Sequence, residues 1–302
     1  MASQIYGQIR TAFKNLNPEN VRELAERPLR LGLIASGSEA FETLDDMLVP
    51  ASISRSRRLE IDRIVERITE PFDPKRYDLI LCDDELLCPP GGFALDPLNP
   101  GRTIRDIVRR REDLGLALAR SFRPFRKPVI DHIIRTIARE NALFCVVTAL
   151  PDIVPSLIEL PWAVGEFASD TAFLTMNQVR MAFLIAGASD HDVGFREQGP
   201  QIAGIVGGAF GWRALARELI GKVPFGGGLV PKAAIAYAGT YTVGAGLERL
   251  YRIGYGLTRA ERREYYERAL GKGKTVVATI VEAARRRRGS AVPQIEGDEP
   301  GG

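Results

Sequence analysis

Histidine and cysteine are scarce in this chain of 302 residues, which contains two histidines and three cysteines. Cys82 and Cys88 are six residues apart, but no histidine or second cysteine pair accompanies them, so their pattern does not predict a zinc site or any other metal site. Three thiols are also too few for a disulfide scaffold and are typical of a reducing compartment. We therefore expect Cys82, Cys88 and Cys145 to be structural or incidental thiols.

The residues that would form a catalytic constellation are missing as well. His132 follows Asp131 on a predicted helix, where adjacent side chains point in different directions, and His191 lies between two aspartates in a predicted exposed loop. No serine or cysteine stands in the sharp turn that exposes a hydrolase nucleophile. The sequence therefore predicts a protein that is not an enzyme, with no catalytic residue and no cofactor.

No run of about 20 apolar residues, the length that spans a bilayer, is present. Residues 202–212 supply eleven before Arg213, and residues 233–247 supply fifteen between two charged residues. The first ten residues contain no apolar core of a secretory signal. We expect a cytoplasmic protein, and association with the inner membrane stays open because terminal arginines and lysines can reach a lipid surface.

The net charge of +3 is too small to predict binding to nucleic acid, although only seven of the 41 basic residues are lysine. Residues 285–288 are all arginine, and further arginines precede them. No aromatic platform accompanies this run. We interpret it as a solvated helix end, with acidic lipid or RNA as the alternative partner.

Residues 1–125 have the pattern of a small α/β unit with N-terminal helices. Asn17 is the predicted cap of a helix that ends at Arg27. Two short apolar segments are predicted as strands with a helix between them, which at this spacing predicts a parallel pair. The predicted strands cover residues 29–35 and 77–82, the predicted helices cover 39–48, 57–69 and 105–122, and the predicted loop covers 88–102.

Residues 126–288 have the pattern of a helical domain, and residues 289–302 form a polar tail that we predict to be disordered. Helical periodicity covers residues 129–150, 171–188, 202–220, 231–253, 258–270 and 275–288. The segments 202–220 and 231–253 are predicted to form a helical hairpin. The predicted fold is therefore mainly α, with a small N-terminal α/β unit and a C-terminal glycine-rich helical bundle.

The segment from Gly32 to Glu39 has the glycine spacing of a phosphate-binding loop after a strand. A working loop needs a lysine and then a serine or threonine after its second glycine, here Gly37, but Ser38 and Glu39 stand there. Glu39 also places a negative charge at a helix N-terminus, where phosphate would sit. We interpret Gly32, Gly37, Ser38 and Glu39 as a degenerate relic.

A second segment with a partial resemblance to a phosphate-binding loop covers residues 271–275, which end as such a loop does. Arg268 stands where that loop needs glycine, and a helix precedes it, so a hinge between two helices is the better interpretation.

Asp83, Asp84 and Glu85 follow the second predicted strand. Carboxylates there can hold magnesium, but nothing else completes a site, so we interpret them as a solvated loop end. In a parallel sheet they would nevertheless lie near residues 36–39. That proximity keeps a nucleotide sensor, or an enzyme with a non-standard site, as an alternative.

Four glycines recur with helical spacing at Gly204, Gly207, Gly208 and Gly211. Each costs about 1 kcal/mol relative to alanine inside a helix, so the stripe predicts close approach of another helix. Small-residue faces of this kind are typical of membrane helix pairs and also occur in other bundles. Candidate helix-packing or interaction residues are therefore the four glycines together with Arg180, Trp212, Arg213 and Arg217.

Four segments carry a resemblance to a known family: TAFLTMNQVRM at 171–181, FGWRALAR at 210–217, PFGGG at 224–228 and GTY at 239–241. Together they resemble the YcjF-like domain of unknown function, over roughly residues 126–270. That family occurs in bacterial inner-membrane proteins and at the C-terminus of some Era-like small GTPases. The resemblance implies a helical domain associated with GTPases or membranes, and it supplies no catalytic residue.

The preceding α/β unit is similar to a GTPase domain that has lost its phosphate loop and its Asn-Lys-x-Asp motif. We therefore predict a non-catalytic binding or scaffolding protein that binds a protein partner, such as a GTPase, or itself, with a membrane surface as a further candidate. No nucleic-acid partner and no small-molecule substrate are expected. The alternatives are the nucleotide sensor and a membrane-inserted helical hairpin.

Overall fold

The structure, a computed structural model, describes residues 16–50, 53–69, 72–149, 170–207 and 229–290. Most of these residues are helical, and a small parallel sheet of four strands lies in the N-terminal half. This confirms the predicted combination of a mainly helical chain with a small α/β unit.

The elements of the described part follow one another along the chain. They are α1 (Pro18–Glu26), β1 (Leu31–Ile34), α2 (Ser38–Leu48), α3 (Arg55–Ile61), β2 (Val65–Arg67), β3 (Leu79–Cys82), β4 (Phe93–Ala94), α4 (Pro100–Arg110), α5 (Gly115–Ser121), α6 (Arg123–Ala149), α7 (Asp170–Ala188), α8 (residues 199–207), α9 (Leu229–Ile253) and α10 (Arg259–Ser290). Single 3-10 turns lie at Pro74–Arg76, Glu85–Leu87 and Glu112–Leu114.

The sheet has the strand order β2-β1-β3-β4, and every neighbouring pair is parallel. Leu31, Leu33 and Leu81 are fully buried in the main core on one face. Ile80 and Cys82 are buried in a second cluster with Ile68. Burial on both faces explains why β1 and β3 are continuous apolar segments rather than alternating ones.

The start of α1 and the parallel pairing of β1 with β3 confirm two of the predictions. The Asn17 side chain accepts a hydrogen bond from the backbone N–H of Glu19 at 2.9 Å, and Pro18 is the first helical residue. Leu31 pairs with Leu79, and Ile34 pairs with Cys82.

The predicted helix over residues 57–69 is wrong in its second half, where the chain forms β2. Ile64, Val65 and Ile68 fit a helical period, but their backbone pairs with β1. The N–H of Leu31 donates to the Ile64 carbonyl, and the N–H of Ile68 donates to the Leu33 carbonyl, both at 2.8 Å. Tertiary pairing thus overrides the local pattern, as it does for short apolar segments.

Two further predictions for this half are corrected. The predicted loop over residues 88–102 contains β4 and the first turn of α4, where Asn99 caps the helix by accepting from the N–H of Arg102 at 3.2 Å. The predicted helix over 105–122 is divided into α4 and α5 at Arg111. The Arg111 guanidinium pairs with Asp113 at 3.0 Å and donates to the Asp78 carbonyl at 2.5 Å.

Helix α6 runs through Pro128, although the sequence predicts a domain boundary close to this proline. Its first turn is held by Phe122 and Phe125, two fully buried side chains with ring centroids 6.4 Å apart. The predicted limit between residues 125 and 126 lies inside this helix. One hydrophobic cluster also contains residues from both sides of that limit, including Leu118 and Val179. The division into two domains stays a prediction.

The predicted hinge at residues 271–275 is wrong, because α10 is one continuous helix. Gly273 is buried against α9, where an added Cβ would lie 3.0 Å from the Ala234 carbonyl oxygen and 3.1 Å from the Tyr237 ring. Glycine at this position therefore lets the two helices approach closely, and it does not mark a bend. The predicted tail beginning at residue 289 lies outside the described residues except for its first two positions, which continue the helix.

Small residues let helices approach closely at Gly244 in the C-terminal half. A Cβ on Gly244 would lie 2.7 Å from Ile134 of α6 and 3.0 Å from Met181 of α7. Gly204 and Gly207 are exposed, and a Cβ added to either would meet no described atom within 4 Å.

The remaining members of the predicted interaction set, Gly208, Gly211, Trp212, Arg213 and Arg217, lie outside the described residues. The glycine stripe therefore stays a prediction. Within the described part of the chain, no helix combines the length and the apolar character needed to cross a bilayer.

Candidate functional site

The carboxyl ends of β1 and β3 meet at one edge of the sheet. The chain leaves β1 for β2 on one side and later reaches β3 and β4 on the other. A crevice forms at such a reversal of strand order, and open α/β sheets bind their ligands there. We therefore take this edge as the candidate site and call it the edge cleft.

Ser36, which follows β1, is bonded to Asp83, which follows β3. The Ser36 backbone N–H lies 3.2 Å from both carboxylate oxygens, and the Ser36 hydroxyl donates to Oδ2. The N–H of Asp83 donates in turn to the Ile34 carbonyl at 3.2 Å. This confirms that the two strand-end loops lie next to each other.

The electrostatics of Asp83 follow from this geometry. Burial opposes ionisation of its carboxyl group, but the Ser36 hydroxyl and the backbone N–H groups of Ser36, Asp83 and Asp84 outweigh burial. The pKa of Asp83 is therefore below its ordinary value. A carboxylate thus occupies the first turn after β1, where a phosphate loop would present backbone N–H groups to a ligand.

The four residues of the degenerate loop do not form a phosphate cradle. Gly32 lies inside β1, and a Cβ there would be 2.2 Å from Cδ1 of Ile68, so this glycine serves sheet packing. Gly37 precedes α2 as its extended cap residue without a side-chain hydrogen bond. Ser38 and Glu39 are exposed in the first turn, where the Glu39 carboxylate interacts favourably with the helix dipole.

On the β3 side, beyond Asp83, the edge cleft opens into a cavity of about 1100 Å³ whose acidic and basic side chains come from the loop after β3, from the region of β4 and from α4, and none from β1 or the loop after it. Its carboxylates are Asp83, Asp84, Glu85, Asp96 and Asp106, and its guanidiniums are Arg102, Arg105, Arg109 and Arg110. The acids lie mainly after β3, and the arginines lie on α4. The site is therefore bipolar along its length.

Some of these charged side chains form contacts within the protein, and others do not. Asp106 pairs with Arg109 at 2.5 Å, and Arg110 lies 4.7 Å above the Phe93 ring. Within the described part of the chain, Arg102 and Arg105 form no ion pair. The cleft thus offers charged groups to a ligand that carries both signs.

Two leucines beside the cleft are almost fully exposed. Leu86 is 92% exposed in the turn after Asp84, and Leu98 is 97% exposed in the loop between β4 and α4. An apolar side chain with this exposure contributes nothing to the core. Both lie close in sequence to the cleft wall, Leu86 after Glu85 and Leu98 two positions after Asp96, so they are candidate contacts for a protein partner.

Cys82 and Cys88 form a disulfide with a Cα–Cα distance of 5.6 Å, so our expectation of free thiols is wrong for this pair. Cys145 is buried in the helical half and is not part of this bond. The bond closes the short loop that carries Asp83, Asp84 and Leu86. The sequence signal was the turn-forming Pro and Gly residues after Cys88, among which Gly91 has a φ of +86°.

A buried polar network is the feature that sequence reasoning missed. Asn141 of α6 donates to the Thr240 hydroxyl of α9 at 2.8 Å and accepts from Asn177 of α7 at 2.9 Å. Gln178 donates to the same hydroxyl at 3.3 Å. All four side chains are buried. Three of them lie in segments that carry the family resemblance, and the available signal was polar residues at the centre of an apolar helix.

Arg180 of the predicted interaction set lies beside this network. Its guanidinium pairs with Glu140 at 2.9 Å, and the Asn177 amide lies 3.4 Å from the same carboxylate oxygen. The pair is partly buried, so it links α6 and α7. Arg180 therefore has a structural contact that the sequence did not indicate.

The two histidines lie apart. His132 contacts Glu112 at 3.3 Å, and the His191 ring lies 4.9 Å from the Tyr251 ring. Among the described residues, no group of three or more histidine, cysteine, aspartate or glutamate side chains could hold a metal ion.

Comparison of the chain with models of protein families, with curated proteins and with solved structures finds no significant match.

Proposed function

We propose that this chain is a non-catalytic protein-binding module and that the edge cleft is its interface. The observation that carries the proposal is the pair of exposed leucines, Leu86 and Leu98, beside a bipolar cleft. Apolar anchors within a polar, charged rim are the usual anatomy of a protein interface.

The charges define the chemistry of the partner. Asp84 and Glu85 face a partner's lysine or arginine, and Arg102 and Arg105 face its aspartate or glutamate. Opposite charges of this kind raise the association rate and fix the orientation of two proteins. The partner is therefore a folded protein surface with an apolar centre and charges of both signs.

The Ser36–Asp83 contact supports a role without nucleotide hydrolysis. The carboxylates of Asp83 and Glu39 lie where a triphosphate would need hydrogen-bond donors and positive charge. The YcjF-like resemblance makes a GTPase the candidate partner. It also leaves the glycine stripe at residues 204–211 as a candidate face for self-association or for a membrane surface.

Site-specific photo-crosslinking tests the proposal. A benzophenone amino acid at position 86 or 98 is expected to give one discrete covalent adduct in cells, which mass spectrometry identifies. Position 59 is the matched control, because Leu59 is 57% exposed on α3, away from the cleft. The charge reversal Arg105→Glu is expected to reduce adduct formation at position 86 by roughly tenfold.

The absence of adducts at positions 86 and 98, or equal adducts at position 59, would contradict the proposal. An adduct of the chain with itself would make the partner a second copy, and sedimentation of the purified protein would then show a dimer. If Arg105→Glu leaves adduct formation at position 86 unchanged, the partner is not recognised through charge complementarity, and the partner chemistry proposed above is wrong.

A nucleotide sensor is the second candidate, because the cleft lies at the reversal of strand order. Thermal unfolding with millimolar GTP or ATP and magnesium separates the two functions. We expect no rise in Tm beyond that of an equal concentration of sodium chloride and magnesium. A saturable rise would favour the sensor.

A further inference from the structure

A second cavity lies where α3, the end of α5 and the start of α6 meet. Its volume is about 150 Å³, and it shares no lining residue with the edge cleft. Its lining residues fall into an apolar group and a polar group. The apolar group is Leu48, Pro50, Ile53 and Ile61, and the polar group is Arg57, Ser121, Arg123, Arg126 and Asp190.

The charges around this cavity are not balanced. Three guanidiniums line it, and Asp190 is the one carboxylate in the lining. An Asp190 oxygen lies 3.3 Å from Arg126 and 3.8 Å from Arg57. Arg57 also pairs with Glu60 at 2.7 Å. Within the described part of the chain, Arg123 forms no ion pair and no hydrogen bond through its side chain.

Backbone carbonyls at the end of α5 fix two of the guanidiniums. Arg57 donates to the Arg120 carbonyl at 2.8 Å, and Arg126 donates to the Ala119 carbonyl at 3.1 Å. Arg120, outside the cavity lining, lies 3.6 Å from the other Asp190 oxygen and 3.6 Å from Glu26. Arg57 and Arg126 are thus held in place before any ligand arrives, which reduces the entropy lost on binding.

Mutual repulsion among these groups has a consequence for Arg126. Burial lowers the pKa of Arg126, Asp190 opposes that change, and the charges of Arg57 and Arg123 lower the pKa further. An anion in the cavity would relieve the repulsion.

Asp190 has a left-handed backbone conformation. Asp190 has a φ of +65° after the end of α7, and it is the one residue other than glycine with a positive φ in the described part of the chain. Its N–H donates to the Gly187 carbonyl at 3.3 Å, as at a helix C-terminus that usually carries glycine. Glycine would adopt this conformation without strain, whereas aspartate supplies a counter-ion to the arginines.

The start of α6 does not add a set of free backbone donors. Its second residue, Pro124, has no N–H, and the N–H of Phe125 donates to the Phe122 carbonyl at 3.1 Å. The guanidiniums therefore supply the donors of this cavity, and guanidiniums bind phosphate oxygens through charge-assisted hydrogen bonds.

We propose that this cavity, which we call the arginine cavity, binds a phosphoryl group of a small phosphorylated ligand. Arg57, Arg123 and Arg126 bind the phosphoryl oxygens, and the apolar wall of Leu48 and Ile61 contacts the carbon part of the ligand. Asp190 pairs with Arg57 and Arg126 in the free protein. Its negative charge competes with the ligand for them.

Binding of inorganic phosphate to the full chain tests the proposal by calorimetry and by thermal unfolding. Sodium chloride at matched ionic strength corrects for screening. Saturable binding is expected, and Arg123→Gln is expected to weaken it about tenfold. Asp190→Asn keeps a residue that tolerates the same backbone conformation, and it is expected to tighten binding severalfold because the competing charge is lost.

Arg252→Gln is the matched control, since Arg252 is an exposed arginine of α9 that lines neither cavity, and it is expected to bind phosphate as the wild type does. Arg123→Gln keeps the test valid even if Arg126→Gln fails to fold, because the Arg123 side chain makes no described hydrogen bond. The absence of saturable binding, wild-type affinity in Arg123→Gln, or weaker binding in Asp190→Asn would each overturn the proposal.

Vesicles that contain phosphatidic acid distinguish the two sources of a phosphoryl group. Binding of free phosphate with no Arg123-dependent binding to vesicles supports the small ligand. Vesicle binding that depends on Arg123, without saturable binding of free phosphate, would overturn it in favour of a lipid headgroup.

Discussion

Polar side chains at the sheet edge and inside the helical half have similar chemistry and different surroundings. Ser36 and Asp83 pair at the rim of an open cleft, where water reaches their neighbours. Asn141 and Thr240 pair between helices with no exposed surface on either side chain. Each region therefore uses its polar groups differently, the first on an accessible surface and the second to fix the register of three helices.

The difference lies in what happens when a partner is lost. A buried amide that loses its partner retains the full cost of leaving water, about 1–3 kcal/mol, whereas an exposed group turns to solvent. We therefore expect substitutions in the network to change the free energy of unfolding. Substitutions of exposed charged side chains in the edge cleft should change binding with little change in the free energy of unfolding.

The largest expected effect is that of Asn141→Leu. Leucine has a similar size but offers no hydrogen bond, so it leaves the buried Thr240 hydroxyl and the Asn177 amide each without their Asn141 partner. We expect the free energy of unfolding to fall by about 2–4 kcal/mol in urea titrations. Asn20→Leu on the exposed face of α1 is the control, with a change within about 0.5 kcal/mol.

A stability of Asn141→Leu equal to that of the wild type would mean that the network contributes nothing to the fold. The buried amides would then be a candidate binding site, and the contrast between the two regions would disappear. The outcome thus decides whether the helical half is a rigid base for the edge cleft or a second functional region.

The next effect in size concerns the covalent link at the sheet edge. Closing the short loop between Cys82 and Cys88, six residues apart, stabilises the fold by about 2 kcal/mol in the chain-entropy description. We expect Cys88→Ser to lower the urea midpoint of unfolding by the corresponding amount. A reducing agent should produce the same decrease in the wild type and no further decrease in Cys88→Ser.

A reducing agent that lowers the midpoint of Cys88→Ser as well would show that its effect does not come from this bond. Unchanged midpoints in both proteins would mean that the loop is held by its other contacts, such as the turn that the Asp84 carboxylate closes by accepting from the Leu86 N–H at 2.9 Å.

Local signals in the sequence predicted some elements well. Asn17 and Pro18 mark the start of α1 because a cap and an N-terminal proline act within one turn. The continuous apolar segments of β1 and β3 indicated a buried parallel pair. The adjacency of residues 36 and 83 followed from that pairing alone, since parallel strands end at the same edge.

Structural features that depend on contacts between residues far apart in the sequence could not be predicted. The segment containing Val65 forms a strand because β1 lies beside it, and its own periodicity fits a helix equally well. Asn141 and Thr240 are 99 positions apart, and the arginine cavity combines residues 57, 123 and 190. A single sequence carries no spacing rule for such contacts. Gly273 is a further example, because a glycine in a helical segment can mark either a bend or a close contact with another helix. The neighbouring helix decides which of the two occurs.

The smallest expected effect is a change in the pH dependence of stability in Ser36→Ala. Hydrogen bonds from Ser36 hold the pKa of Asp83 below its ordinary value of 3.8. The carboxylate therefore stabilises the fold fully at pH values above 3.8, and this contribution is lost as the pH falls through the lowered pKa. Without the hydroxyl, we expect the pKa to rise towards 3.8 and the acid-induced loss of stability to become smaller.

Urea unfolding at pH 7 and at successively lower pH measures this difference, and Ser38→Ala is the control, because Ser38 is an exposed neighbour that forms no described side-chain hydrogen bond. At neutral pH, Ser36→Ala should be slightly less stable than the wild type, and the two curves should converge as Asp83 becomes protonated. Parallel curves would mean that the hydroxyl does not act through the charge of Asp83. A large loss in the free energy of unfolding at pH 7, comparable to that of Asn141→Leu, would mean that polar contacts at the sheet edge stabilise the fold as much as those in the helical interior.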